Sequence, residues 1–359
     1  MSIDPRKGRA VVKGKRDTAQ PKVNAQYSLE DAFSVFYGAK KAEGMRQRTL
    51  EGYANHWRYF RDWLASAYPD VTRIDEINAV TIRDYVSHMT SKKKYEGVAG
   101  RETDGAGLSP YTVALRLRDI RTMFNFLAEE RIVALNPVSH IKQPRFDDED
   151  KPTFTEEQFA RLIAAPDTDT FAGLRDRTLM LTLADGGFRI EEALRLTTEH
   201  FDAKSRCVHL PGWMNKNRKP RVVPLTAEVT REILTLINEN KYYFGDVEHI
   251  FLSNYGEPLK SDHFRKRLKL HAQKAGIDDG SVQISPHQFR AFFLTQFLLN
   301  GGDLFSAQRI VAHASIQTTR RYVKLTDENI RQQHAEFSPL AKLGKMRVVK
   351  RRQHQGTLN

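Results

Sequence analysis

Between Ile141 and Thr153 the sequence loses hydrophobic periodicity and carries Pro144, Pro152 and the acidic run Asp147-Asp148-Glu149-Asp150. Proline withholds a backbone donor and a block of like charges repels itself, so such a stretch joins folded units. One core usually serves roughly 100 to 200 residues. With 359 residues, 40% of them hydrophobic, the chain has material for a core on each side. The reading that follows is a basic flexible arm at 1–22, a helical domain at 23–145, an acidic linker at 146–154, a second domain at 155–341 and a basic tail at 342–359.

On the N-terminal side, Leu50, Tyr53, Trp57, Phe60 and Leu64 recur at three- and four-residue spacing, which places them on one helix face. Helices are expected over 28–40, 47–67, 75–89 and 111–130, the last opened by Ser109 as a cap and Pro110 in the first turn. Beyond the linker, Thr155 followed by Gln158 forms a capping-box signature. Helices are expected over 156–164, 171–185, 190–196, 227–238, 261–275, 286–299, 304–312 and 315–323. Two short strands, 206–210 and 221–225, flank a basic turn. The fold class is mainly α with a small β-sheet.

The formal charge of +13 brings a polyanionic partner to mind, but its location is uneven. Residues 1–22 hold seven basic against two acidic side chains, and 342–359 hold six basic and none acidic. The body between them is nearly neutral, so a nucleic-acid surface there must come from local placement of charge. The single cysteine, Cys207, sits in a strand pattern as a buried residue; it excludes an intrachain disulfide and any cysteine-cluster metal site. No signal-peptide core and no membrane-length apolar run occur, so a bacterial cytoplasmic, nucleoid-associated address is expected, with no membrane partner.

Several polar groups stand out against this background. His287 and Arg290 lie three apart at the start of a helix, with Ala291-Phe292-Phe293-Leu294 to bury its other side. Arg189 and Glu192 repeat the spacing at another helix start. Asn215 to Arg221 carries four positive groups in seven residues, suited to a DNA backbone. His313 ends one helical pattern, and Tyr322 closes the next beside Arg320 and Arg321. Read singly, each of these is as well explained by a surface pair, a solvated turn or a half-buried aromatic. For Tyr322, arginine-rich surroundings would favour a nearby phosphate and a partly ionised phenolate, because a free tyrosine titrates near 10.

In order, the series Asp185-Gly186-Gly187-Phe188-Arg189-Ile190-Glu191-Glu192, Lys216 before Arg221-Val222-Val223-Pro224-Leu225, Pro286-His287-Gln288-Phe289-Arg290, Val311-Ala312-His313 and Thr318-Thr319-Arg320-Arg321-Tyr322 resembles the tyrosine recombinase, or phage integrase, family. The resemblance spans roughly 25–340. It implies a SAM-like helical core-binding domain and a catalytic domain that together form a C-shaped clamp on double-stranded DNA carrying specific recombination sites. It further implies that Tyr322 attacks a phosphodiester to give a 3′-phosphotyrosyl bond, with Arg189 and Arg290 clamping the nonbridging oxygens. Lys216 would protonate the leaving 5′-oxygen, His287 assist proton transfer, His313 support the phosphoryl group and Glu192 organise the shell. No cofactor and no metal enter this scheme. A homotetramer on two paired DNA sites, a helix at 326–337 packing on a neighbouring subunit, and accessory DNA-bending or directionality proteins belong to the same expectation.

Some positions depart from the commonest pattern. Ala291 stands where a further histidine is frequent, Ala312 where glycine is usual, and asparagines flank Lys216 where glycines often do. The altered turn makes Lys219, three residues on, the rival general acid. A site-specific recombinase, the integrase of a mobile element, is the leading reading. A topoisomerase-like nickase or resolvase, and a DNA-binding protein that has lost catalysis, stay open beside it.

Overall fold

The computed structural model describes residues 27–91, 107–144, 152–215, 218–322 and a few positions between 331 and 339. The basic arm, the basic tail, most of the linker, Lys216 and most of the expected 326–337 helix lie outside the described residues. The chain divides into two compact units between residues 148 and 149.

The first unit is helical: α1 (Leu29–Ala42), α2 (Gln47–Ala67), α3 (Ala79–Ser91) and α4 (Pro110–Glu129). Its core is the stripe of α2 meeting α1, α3 and α4: Trp57, Phe60 and Leu64 pack with Phe36, Tyr85, Leu117 and Phe124, all almost fully buried. Burying each such side chain is worth about 1.5–3 kcal/mol. Phe33 stacks on Trp57 with ring centroids 5.6 Å apart, and Phe60 meets Tyr85 edge-on at 5.0 Å. The helix expected from residue 75 instead begins at Ala79. Asn78 takes the backbone N–H groups of Val80 and Thr81 on its Oδ1, at 2.8 and 3.2 Å. This cap starts α3, and Ile77, extended at ψ 122°, cannot belong to it. Residues Ile74–Glu76 form a separate 3-10 turn.

The second unit holds α5 (Glu156–Ala164), α6 (Phe171–Gly186), α7 (Ile190–Leu194), β1 (Phe201–Asp202), β2 (Cys207–Leu210), β3 (Arg221–Pro224), α8 (Ala227–Phe244), α9 (Ser261–Lys274), α10 (Pro286–Leu299), α11 (Leu304–Val311) and α12 (Ile316–Arg320). The three strands form an antiparallel sheet in the order β1-β2-β3, with Cys207 opposite both Asp202 and Pro224. The Thr155–Gln158 capping box opens α5 as its residues require, both bonds being made. Strand β1 is not legible in sequence, because two residues cannot display alternation. Helix α8 runs beyond 238 to Phe244, its last turns held where the buried Asn240 side chain donates to the carbonyl of Ile250 at 2.8 Å, and it stops at Gly245 (φ 75°).

Helices α6 and α10 are buried on nearly every side and pack together at the centre, with Leu179, Leu183, Phe188 and Phe289 wholly enclosed. A buried carboxylate, Asp176 on α6, accepts from Arg175 at 2.7 Å, from the His271 ring at 3.0 Å and from Arg267, tying α6 to α9. Among the described residues, no helix is long and apolar enough to cross a membrane.

Candidate active site

The end of α6 sets the site. Gly187 terminates that helix in the left-handed region (φ 60°, ψ 29°), where a side chain is strained. A Cβ there would also lie 2.6 Å from the Phe293 ring and 2.9 Å from Val311. The turn delivers Arg189 to the start of α7 and leaves the Gly187 carbonyl pointing at α10. Arg290, 1% exposed, donates to that carbonyl and to the carbonyl of Val311, each at 2.6 Å. A buried guanidinium without acceptors would be prohibitive, so these two carbonyls are what lets α10 carry a cation into the core. Burial, then the nearby Arg189, brings the Arg290 guanidinium down to about 9, still protonated at neutral pH.

Arg189 and Glu192 are not a surface pair. Glu192 is 2% exposed and accepts from the Arg189 side chain at 2.8 Å and from the Arg189 backbone N–H at 3.0 Å. On its other side it accepts from Arg221 at 2.7 Å. Burial pulls its carboxyl upward, but Arg221 and Arg189 together hold it below the ordinary carboxylate range.

Arg221 thereby corrects the reading of the basic turn. Arg221 faces inward from β3 and is buried, so it is no part of a solvated cationic tip. It donates to Asn215 Oδ1 as well as to Glu192. The Asn215 side chain in turn donates to the carbonyl of Lys219 at 2.6 Å and of Pro211 at 3.4 Å, bracing the root of the turn. Arg218 and Lys219 are exposed. Neither Arg221 nor Asn215 was among the site residues expected from sequence. The available signal was the β3 alternation, which puts Arg221 on the same inward face as Val223, where a charge requires a buried partner.

His287 opens to solvent on the first turn of α10. Desolvation by its surroundings, then Arg290 and Arg189, favour its neutral form. His313 follows α11, whose C-cap Ala312 takes the left-handed conformation at φ 50°, ψ 56°. Its Nδ1 lies 2.9 Å from the hydroxyl of the buried Thr319, and its carbonyl accepts from the Gln308 side chain at 3.0 Å. Desolvation, then Arg290, Arg189 and His287, push the His313 imidazole down to about 3.

Tyr322 comes off α12 with its N–H bonded to the Thr319 carbonyl at 3.0 Å. Its ring lies nearly parallel to the His313 ring, centroids 6.4 Å apart, against the small core of Phe293, Leu294, Leu298 and Val311. The expected partly ionised phenolate is not what this packing gives. Burial raises the Tyr322 phenol above 10, and the opposing fields of Arg290 and Arg321 do not reverse it. Arg189, Glu192, His287, Arg290, His313 and Tyr322 thus form one electrostatically connected cluster, built from α7, α10 and the segments that follow α6, α11 and α12. The cluster can hold a bound anion among fixed cations, beside a phenol and two neutral imidazoles able to move protons.

Residues 152–329 match the family model described as the phage integrase family. The tyrosine recombinase XerD of Staphylococcus aureus is 26% identical over 302 residues, covering 83% of this chain and 95% of that protein. XerD of Vibrio cholerae serotype O1 is 27% identical over 301 residues, 83% and 92% of the two chains. Among solved structures, the Tn1549 transposon integrase in complex with transposon right end DNA aligns with a TM-score of 0.65 at 17% identity, covering 85% of this chain and 99% of that one. A lambda integrase tetramer bound to a Holliday junction aligns at 0.64 and 14% identity, covering 85% and 81%. The structural matches establish the shared fold.

Proposed function

The chain belongs to the phage integrase, or tyrosine recombinase, family, and we propose that it carries out site-specific DNA recombination with Tyr322 as its nucleophile. The observation that carries this reading is the convergence of Arg189, Arg290, His287 and His313 on the neighbourhood of one partly buried tyrosine.

Arg189 and Arg290 clamp the nonbridging oxygens of the scissile phosphate. Two of the Arg290 donors are already committed to backbone carbonyls, so its fork is held in place before DNA arrives. Tyr322 enters the reaction as a neutral phenol, so its proton must leave as its oxygen attacks phosphorus. His287, neutral and open to solvent, accepts it. We assign the Thr319 hydroxyl, 2.9 Å from Nδ1, as the donor of that bond; the other ring nitrogen of His313 then carries hydrogen and donates to a phosphoryl oxygen. The bond from phosphorus to the 5′-oxygen breaks, and Lys216 supplies the proton that oxygen needs, with Lys219 the alternative donor. A 5′-hydroxyl of the partner strand later attacks the 3′-phosphotyrosyl bond and restores a phosphodiester.

DNA bearing paired recombination sites is the substrate, handled in the bacterial cytoplasm by a homotetramer, with accessory DNA-bending or directionality proteins setting the outcome. The Tn1549 protein is named a transposon integrase, and we extend the role of mobile-element integrase to this chain. A plasmid carrying two copies of a site recovered by covalent capture from host DNA tests the function. Exchanged junctions with the wild-type chain, and none with Tyr322→Phe, are expected; relaxation without exchanged junctions would favour the nickase reading.

A further inference from the structure

At the opposite end of the β-sheet from the Asn215–Arg221 turn, three side chains of different chemistry meet. Cys207 and His209 are two apart on β2 and therefore share the face turned away from Val208 and Leu210, which lie in the core. The antiparallel register sets Asp202 of β1 opposite Cys207. One ligand atom from each, a carboxylate oxygen, the thiol sulfur and a ring nitrogen, all lie within 4.8 Å of one another. The sulfur and the His209 Nε2 are 3.3 Å apart. Tetrahedral zinc, with its usual bonds to sulfur and nitrogen, needs these two atoms about 3.5 Å apart.

The carboxylate is also aimed. Asp202 Oδ1 accepts the backbone N–H groups of Lys204 and Ser205, at 2.9 and 3.1 Å, so the β1–β2 turn fixes its orientation in the way outer-shell bonds orient metal ligands. Its Oδ2 is turned to the Ser205 side chain. The Ser205 hydroxyl donates to that oxygen at 2.5 Å and lies 3.0 Å from the Cys207 sulfur, linking two of the three candidate ligands through one small group.

We propose that Asp202, Cys207 and His209 bind a borderline divalent cation, Zn²⁺ by the chemistry of a mixed sulfur, nitrogen and oxygen set, with water completing four-coordination. On binding, the Cys207 thiol releases its proton to solvent and no electrons are exchanged. None of the three residues belongs to the catalytic cluster. The cation joins β1 to β2 as a staple on the sheet whose far end bears the Asn215–Arg221 turn.

Titration of the full-length chain with Co²⁺ reports the site directly, because thiolate coordination gives a near-ultraviolet charge-transfer band. Cys207 is the only cysteine, so any such band from this chain originates there, whatever the other histidines bind. One equivalent of Co²⁺ producing the band, displaced by Zn²⁺, is expected. Cys207→Ser abolishes it, and Asp202→Asn and His209→Ala each weaken binding at least tenfold. Absence of the band, or unchanged affinity in Asp202→Asn and His209→Ala, overturns the proposal. Independently of any variant, Zn²⁺ must slow alkylation of Cys207 in the wild-type chain; an unchanged rate overturns it equally.

Discussion

Arg221 and Glu192 form a two-point ion pair, 2.7 Å at its closest, with both side chains about 95% buried. Glu192 binds Arg189, the proposed phosphate ligand, and Arg221 binds Asn215, which braces the root of the turn that carries Lys216 and Lys219. One continuous path of hydrogen bonds, charge-assisted from Arg189 as far as Asn215, therefore joins Arg189 to the turn that carries the two candidate lysines.

Breaking that path is costly twice. Arg221→Ala leaves a buried carboxylate with one of its two cationic partners gone, and destabilisation of about 3–5 kcal/mol is expected in urea unfolding. Arg221→Lys keeps a charge but cannot reach Glu192 and Asn215 together, so it should fold while losing at least tenfold in DNA cleavage rate. Wild-type cleavage in Arg221→Lys would remove Arg221 from the positioning role.

Gly187 and Ala312 share the left-handed conformation and differ in side chain. Gly187→Ala would add a strained φ and a Cβ 2.6 Å from Phe293, beside a carbonyl that anchors Arg290. A loss of about 1–3 kcal/mol is expected, with cleavage falling further than binding. Ala312→Gly relieves the same strain without creating contacts, and a gain of about 0.5–1 kcal/mol is expected. Denaturant midpoints measure both, and opposite signs are the outcome to look for.

The histidines fix the direction of the acid response. His287 and His313 are held neutral in the folded chain, whereas in the unfolded chain an imidazole titrates near 6.5. Between that value and the about 3 of folded His313, the unfolded state binds the extra proton. Their effect on stability is constant above pH of about 6.5 and turns increasingly unfavourable below it. Half-buried His313 contributes more than exposed His287. The drop in urea midpoint from pH 7 to pH 5 should be smaller in His313→Gln than in the wild type; an equal drop would contradict it.

The general acid is tested by a substrate with sulfur at the 5′-bridging position, whose leaving group needs no proton. Lys216→Ala should be rescued on it and Lys219→Ala should not. Rescue of Lys219→Ala alone would transfer the role to that residue.

Much of this was legible in the chain because it is local. The α2 stripe from Leu50 to Leu64 and the Thr155–Gln158 cap are sequence patterns that fold as they read. The candidate residues Arg189, His287, Arg290, His313 and Tyr322 stand out through their order along the chain, and the structure brings them together from separate segments. What escaped depends on packing. Nothing near Arg221 in sequence announces that Glu192, 29 residues away, neutralises it. The helix boundary at Asn78 turns on one side-chain oxygen that accepts two backbone N–H groups, and the state of Tyr322 is hidden because the neighbouring arginines are visible in sequence while the burial that outweighs them is not.

Tyr322, as the proposed nucleophile, would carry a covalent nucleotide adduct. Wild-type chain incubated with sheared DNA from its native host, denatured and digested with trypsin and nuclease, should yield by mass spectrometry a peptide carrying a nucleotide on Tyr322. Tyr322→Phe should yield none while still retarding DNA in gels. A nucleotide attached to any other residue, or covalent DNA persisting in Tyr322→Phe, would contradict the account.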